Sequence, residues 1–150
     1  MPFEEKVSWV SGIVAILVAA VYASVIIPRL GGGPVGAIAY QMPMLIAIAA
    51  MIIVTIVGTI LMSIGTAVTA EITGQGSVED IGRTDERDHD INRRGELVGY
   101  YVSSVGVLAA LALAMLKADH FWIANAIFLG FMVSSVVGSA YKILIYRRGF

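Results

Sequence analysis

Residues 44–70 read MLIAIAAMIIVTIVGTILMSIGTAVTA, with no charged residue anywhere in the run. A membrane-spanning helix needs about 20 mostly apolar residues, each rising about 1.5 Å. This run exceeds that length, so it predicts a span that tilts or extends beyond the lipid. Hydrocarbon offers no hydrogen bonds, which leaves a helix or a closed barrel as the spanning structure. Barrel strands alternate polar and apolar residues. Residues 44–50 are apolar at every position, so the run predicts a helix.

Working outward, three more runs have the same character. Residues 7–27 carry no charge and end at Pro28-Arg29. Residues 97–116 lie between Glu96 and Lys117, and residues 121–141 lie between Asp119 and Lys142. Composition agrees. Of the 150 residues, 58% are hydrophobic and 14% charged, and mean hydropathy is +0.85. Soluble domains hold about 45–50% apolar and about 25% charged residues. The expected fold is therefore all-α: a single transmembrane domain over 1–150, with four helices in an antiparallel bundle at about 7–27, 44–70, 97–116 and 121–141. The chain has no cysteine, which excludes disulfides, thiolate metal sites and cysteine nucleophiles. Its net charge of -1 provides no basic field, so direct nucleic-acid binding is not expected.

The basic residues set the orientation. With four spans, both termini share a side with the 71–96 loop. That side holds Lys6, Arg83, Arg87, Arg93, Arg94, Lys142, Arg147 and Arg148, against Arg29 and Lys117 on the other. Cytoplasmic segments are enriched in Lys and Arg, so both termini and the central loop are expected in the cytoplasm of a prokaryotic plasma (inner) membrane. Trp9, Tyr40, Tyr100, Tyr101, Trp122, Tyr141 and Tyr146 fall near span ends, where amphipathic rings settle. Val21-Tyr22-Ala23 before Ser24 resembles a signal-peptidase site, but Glu4 and Glu5 outweigh Lys6 where a signal needs a basic start. The first run is expected to stay as a span.

Helices in lipid associate through small residues that bring backbones close. Gly130, Ser134 and Gly138 share one face of the fourth run; Gly95, Gly99, Ser103 and Gly106 mark the third; Ala15, Ala19 and Ala23 mark the first. The Gly130/Ser134/Gly138 face is expected either to pack the bundle or to form a homodimer, and a homo-oligomer is anticipated. The short connection 117–120 makes a hairpin of the last two helices. The connection 28–43, with Gly31-Gly32-Gly33-Pro34, lacks the Lys-Ser/Thr of a phosphate-binding loop and reads as a flexible turn.

Chemistry concentrates in 71–96. Residues 73–77 read as a helix stop and linker. Thr84 is a good N-cap, with Asp85 and Glu86 placed where the helix dipole favours acids. A helix starting there should run straight into the third span for about 48 Å. Asp90 faces Arg94 at i,i+4, and Arg93, Arg94 and Glu96 would anchor the helix at the membrane interface. Glu96 should pair with Arg93 or Lys142, since an unpaired charge in hydrocarbon is costly. Three readings compete. Asp85, Asp88, His89 and Asn92 could hold a metal, yet only one His is present and strong sites need convergent ligands, so no metal is expected. Asp85, Glu86, Arg87 and Asp88 could dock a cytoplasmic protein. Or the segment is simply a capped, salt-bridged extension that orients the chain.

Asp85-Glu86-Arg87-Asp88 ahead of a long apolar helix resembles a family of small uncharacterised prokaryotic membrane proteins with four predicted helices and an Asp-Glu-Arg-type motif between the second and third. The architecture matches over nearly the whole chain, the motif over four residues. The resemblance implies no enzymatic role. Some members look like companions of small helix-turn-helix regulators, which implies a separate cytoplasmic regulatory protein as partner.

The chain lacks a His-Glu-x-x-His motif, a Walker loop and a Gly-x-Ser-x-Gly elbow. His89 and His120 lie on opposite sides of the membrane, which excludes a bis-His haem. No cofactor is expected. The reading is a non-enzymatic interaction or regulatory membrane protein. The alternative is a small oligomeric channel or transporter lined by Thr55, Thr59, Ser63 and Thr66. Those hydroxyls can equally bond their own helix carbonyls, and carriers usually keep an ionisable group inside the membrane.

Overall fold

A computed structural model of the chain describes residues 3–73 and 86–148. It contains four long helices: α1 (Phe3–Ile26), α2 (Gln41–Thr73), α3 (Glu86–Met115) and α4 (His120–Arg148). All four are long and apolar enough to cross a membrane. Each expected span falls on one helix, with Ile27 and Leu116 just past the ends of α1 and α3, and every helix begins before its apolar run. The charged ends prolong the helices because they suit the termini. Glu4 and Glu5 occupy the first turn of α1, and Arg147 and Arg148 the last turn of α4, each complementing the helix dipole. Pro43 sits in the first turn of α2, where a missing N–H costs nothing. The expected linker at 74–77, the Thr84 cap and Asp85 lie outside the described residues.

The helices pack as a series of seams, α3 on α4, α4 on α1 and α1 on α2. Among the described residues no comparable backbone seam joins α2 to α3, so the expected bundle is open on that side. The α3–α4 seam is the closest, and glycines are the reason. Gly106 and Gly130 meet backbone to backbone: a Cβ on Gly106 would lie 2.6 Å from the Gly130 Cα. Further along, the Ser134 hydroxyl donates to the Gly99 carbonyl at 2.7 Å, and a Cβ on Gly138 would lie 3.1 Å from the Gly95 carbonyl oxygen. The Gly130/Ser134/Gly138 face thus packs against α3 of the same chain.

The turn from α3 to α4 is closed by a left-handed residue, Lys117, at φ 55°. The Ala118 N–H reaches the Leu113 carbonyl at 2.9 Å and the Lys117 N–H the Ala114 carbonyl at 3.0 Å, a Schellman-type C-cap. The connection between α1 and α2 is not the free turn expected. It forms two 3₁₀ turns, Ile27–Gly31 and Val35–Ala37. Arg29 donates to the Ala39 carbonyl, and Ile38 is buried. The apolar core lies at this end, where Tyr22, Ile26, Ile38, Ala47, Phe121 and Phe128 converge. Apolar area removed from its surroundings and tilted ring contacts, Tyr22 on Phe128 at 4.5 Å and Tyr40 on Phe121 at 5.4 Å, hold it together. The opposite end is polar.

Candidate functional site

At the polar end, the starts of α1 and α3 and the last turns of α4 meet. Helices α1 and α4 both continue past their apolar runs, so the extension of α3 has neighbours on its inner side. Ile91 fills the contact and is fully buried. The Tyr146 hydroxyl donates to Asp88 Oδ1 at 2.8 Å, tying α4 to α3. The Asn92 amide donates to Glu4 Oε2 at 3.1 Å, tying α3 to α1. Glu5, only 7% exposed at its side chain, is held by the Arg147 Nε at 3.5 Å, and Arg147 also lies over the Trp9 ring at 5.5 Å. This closes α1 onto α4.

Helical spacing of 100° per residue separates the extension into two faces. Asp88, Ile91, Asn92 and Gly95 turn inward. Glu86, Arg87, His89, Arg93 and Arg94 are exposed. The four residues anticipated as one contact surface therefore divide. Glu86 and Arg87 are exposed, Asp88 is committed to Tyr146, and Asp85 lies outside the described residues. The metal reading separates in the same way, since Asp88 and Asn92 bind different helices while His89 points outward. The expected Asp90–Arg94 pair forms at 2.9 Å. Glu96 lies 4.0 Å from Lys142 Nζ, the second of its two anticipated partners.

Below this clasp a crevice of about 500 Å³ runs between α1 and α3 over α4. Glu4, Asn92, Glu96 and Lys142 stand at its mouth, and Ser11, Ser135 and Ser139 lie deeper. The stem of Lys142 crosses the place where any side chain at Gly95 would go, so glycine there is what lets the lysine lie flat in the crevice.

The stripe Thr55, Thr59, Ser63 and Thr66 is half-buried on the α1 side of α2, where Gly58 lets Val10 approach. Thr59 donates to the Thr55 carbonyl and Ser63 to the Thr59 carbonyl, both at 2.9 Å, and Thr66 donates to the Met62 carbonyl at 2.8 Å. Lys6 Nζ donates to Thr66 at 3.3 Å. The Thr59, Ser63 and Thr66 hydroxyls are thus occupied by their own helix and by α1, whereas the buried Thr55 hydroxyl has no hydrogen-bond partner among the described residues.

Reading the sequence missed Glu4, Glu5 and Tyr146 as clasp residues, because each looked like an ordinary boundary residue. It also missed Asn125. The Tyr22 hydroxyl donates to Asn125 Oδ1 at 2.8 Å, and the Asn125 amide donates to the Phe121 carbonyl at 2.8 Å. A lone amide in an apolar run is a signal that could have found it. Comparison of the chain with protein-family models, with curated proteins and with solved structures gives no match.

Proposed function

We propose that this is a non-enzymatic, multi-pass membrane protein whose α3 extension docks a cytoplasmic regulatory protein. In this reading the four helices cross a prokaryotic plasma membrane in antiparallel order, with both termini and the 71–96 loop in the cytoplasm, and the chain belongs with the Asp-Glu-Arg family it resembles. The eight-to-two distribution of basic residues supports the orientation.

One observation carries the docking function. The inner face of the extension is fastened to both neighbours through Asp88–Tyr146 and Asn92–Glu4, while Glu86, His89 and Arg93 project from the outer face. A charged surface held by a rigid mount loses little entropy when a partner binds, and mixed charges set register and specificity. An extension serving only to orient the chain needs no fastening on two sides.

Site-directed photocross-linking in native membranes tests this. A photoreactive residue at Glu86 or Arg93 is expected to give a discrete protein adduct, and one at lipid-facing Leu108 none. Adducts that appear equally at Leu108, or at none of these positions, would overturn the docking function.

A further inference from the structure

We propose that the crevice between α1 and α3 binds the headgroup of a zwitterionic aminophospholipid, with its phosphate at Lys142 and its ammonium at Glu4. This site is separate from the outer face of α3 and does not depend on its role.

Three observations point to such a ligand. The first is a set of unused hydroxyls. Serines and threonines in these helices mostly donate back to a carbonyl, as Ser8, Ser63 and Ser104 do. Ser11, Ser135 and Ser139 make no hydrogen bond among the described residues, and all three line the crevice. Ser139 is 7% exposed. Hydroxyls that line the crevice and bond nothing among the described residues remain able to donate to a ligand there.

The second is the charge pattern. Lys142, its side chain 19% exposed, has three N–H donors and one acidic neighbour, Glu96, at the outer limit of an ion pair, 4.0 Å. Glu4 receives one hydrogen bond, from Asn92, and keeps acceptor capacity. Two carboxylates against one ammonium leave the crevice at -1. A simple anion meets that net repulsion, and a simple cation leaves Lys142 unused. A phosphate joined to an ammonium satisfies both ends.

The third is position. The mouth lies at the boundary of the apolar runs, and Ser135 lies seven residues before Lys142, roughly 10 Å deeper along α4. Helices α1 and α3 share no seam, so the crevice opens sideways between them. Exposed Tyr100 flanks the opening on α3. Acyl chains can follow that flank while the headgroup occupies the polar pocket, whereas a soluble ligand gains nothing from it.

The test is lipid retention by the full-length protein in detergent, read by native mass spectrometry. The probes are phosphatidylethanolamine, phosphatidylglycerol and free phosphoethanolamine. The wild type is expected to retain phosphatidylethanolamine in preference to phosphatidylglycerol. Lys142→Met, which keeps the stem over Gly95, should weaken retention about tenfold through loss of a charge-assisted contact. Glu4→Gln, at the ammonium end, should weaken it by a similar factor, and it decides the question if Lys142→Met does not fold. Phosphoethanolamine binding as tightly as the lipid would overturn the membrane source and assign the same chemistry to a soluble ligand. Equal retention of both lipids, or no loss in either folded variant, would overturn the site.

Discussion

Tyr146 and Asp88, 58 positions apart in the chain, share a 2.8 Å hydrogen bond that fixes the start of α3 to the end of α4. The acceptor is a half-buried carboxylate, so the bond is of the stronger, charge-assisted kind. Tyr146→Phe should remove about 1–2 kcal/mol from the local stability of the extension. Amide exchange in the first turns of α3 should accelerate roughly tenfold, with exchange in the Gly99–Gly106 region unchanged. Uniform acceleration along α3 would contradict a local clasp.

The glycine seam gives a second expectation. Gly106→Ala places a methyl 2.6 Å from the Gly130 Cα, in contact with backbone that cannot swing away. Overpacking of this kind costs about 1–3 kcal/mol. Gly65 has nothing within 4 Å of the same position, so Gly65→Ala should be neutral or stabilising by up to about 1 kcal/mol through helix propensity. Thermal unfolding in detergent compares the two. Because the seam lies within one chain, the Gly106→Ala loss should not depend on protein concentration.

The Tyr22–Asn125 pair lies in the apolar half and is fully satisfied, since Asn125 also donates to Phe121. A double-mutant cycle with Tyr22→Phe and Asn125→Ala should give a coupling of about 0.6 kcal/mol, the average of interhelical hydrogen bonds in membranes, and no more than about 1.7 kcal/mol. Additive single effects would mean that the bond contributes nothing to holding α1 on α4.

Some of this architecture could be read from residues in order along the chain. Charges at Arg29, Glu71, Glu96, Lys117, Asp119 and Lys142 bracket the apolar runs, and lipid forces each run to be helical. The continuity of α3 from Glu86 into the span followed from helix-compatible residues and the Asp90–Arg94 spacing. Helix ends lie beyond the apolar runs, because hydropathy marks where apolar character stops, whereas Glu4, Glu5, Arg147 and Arg148 continue the helices past that point.

The polar end was not legible. Glu4, Asn92, Ser135 and Lys142 come from three helices, and each alone resembles a boundary residue or a small packing residue. Only the register of α4 against α1 and α3, set by glycine contacts, brings them together. The anchored 28–43 connection was hidden for the same reason. Its glycines suggest freedom, while Arg29 and Ile38 find partners that only the folded chain supplies.

The docking role is tested most directly by a single-cysteine scan of residues 86–94, which is clean because the chain has no cysteine of its own. Labelling with a membrane-impermeant maleimide is followed in inside-out membrane vesicles, with and without added cytoplasmic proteins. Cysteines at 86, 89 and 93 are expected to label fast, those at 91 and 92 slowly, and only the fast set should be protected by the cytoplasmic fraction. Labelling without helical periodicity, or fast labelling that the cytoplasmic proteins leave unchanged, would contradict a fastened extension that presents its outer face to a partner.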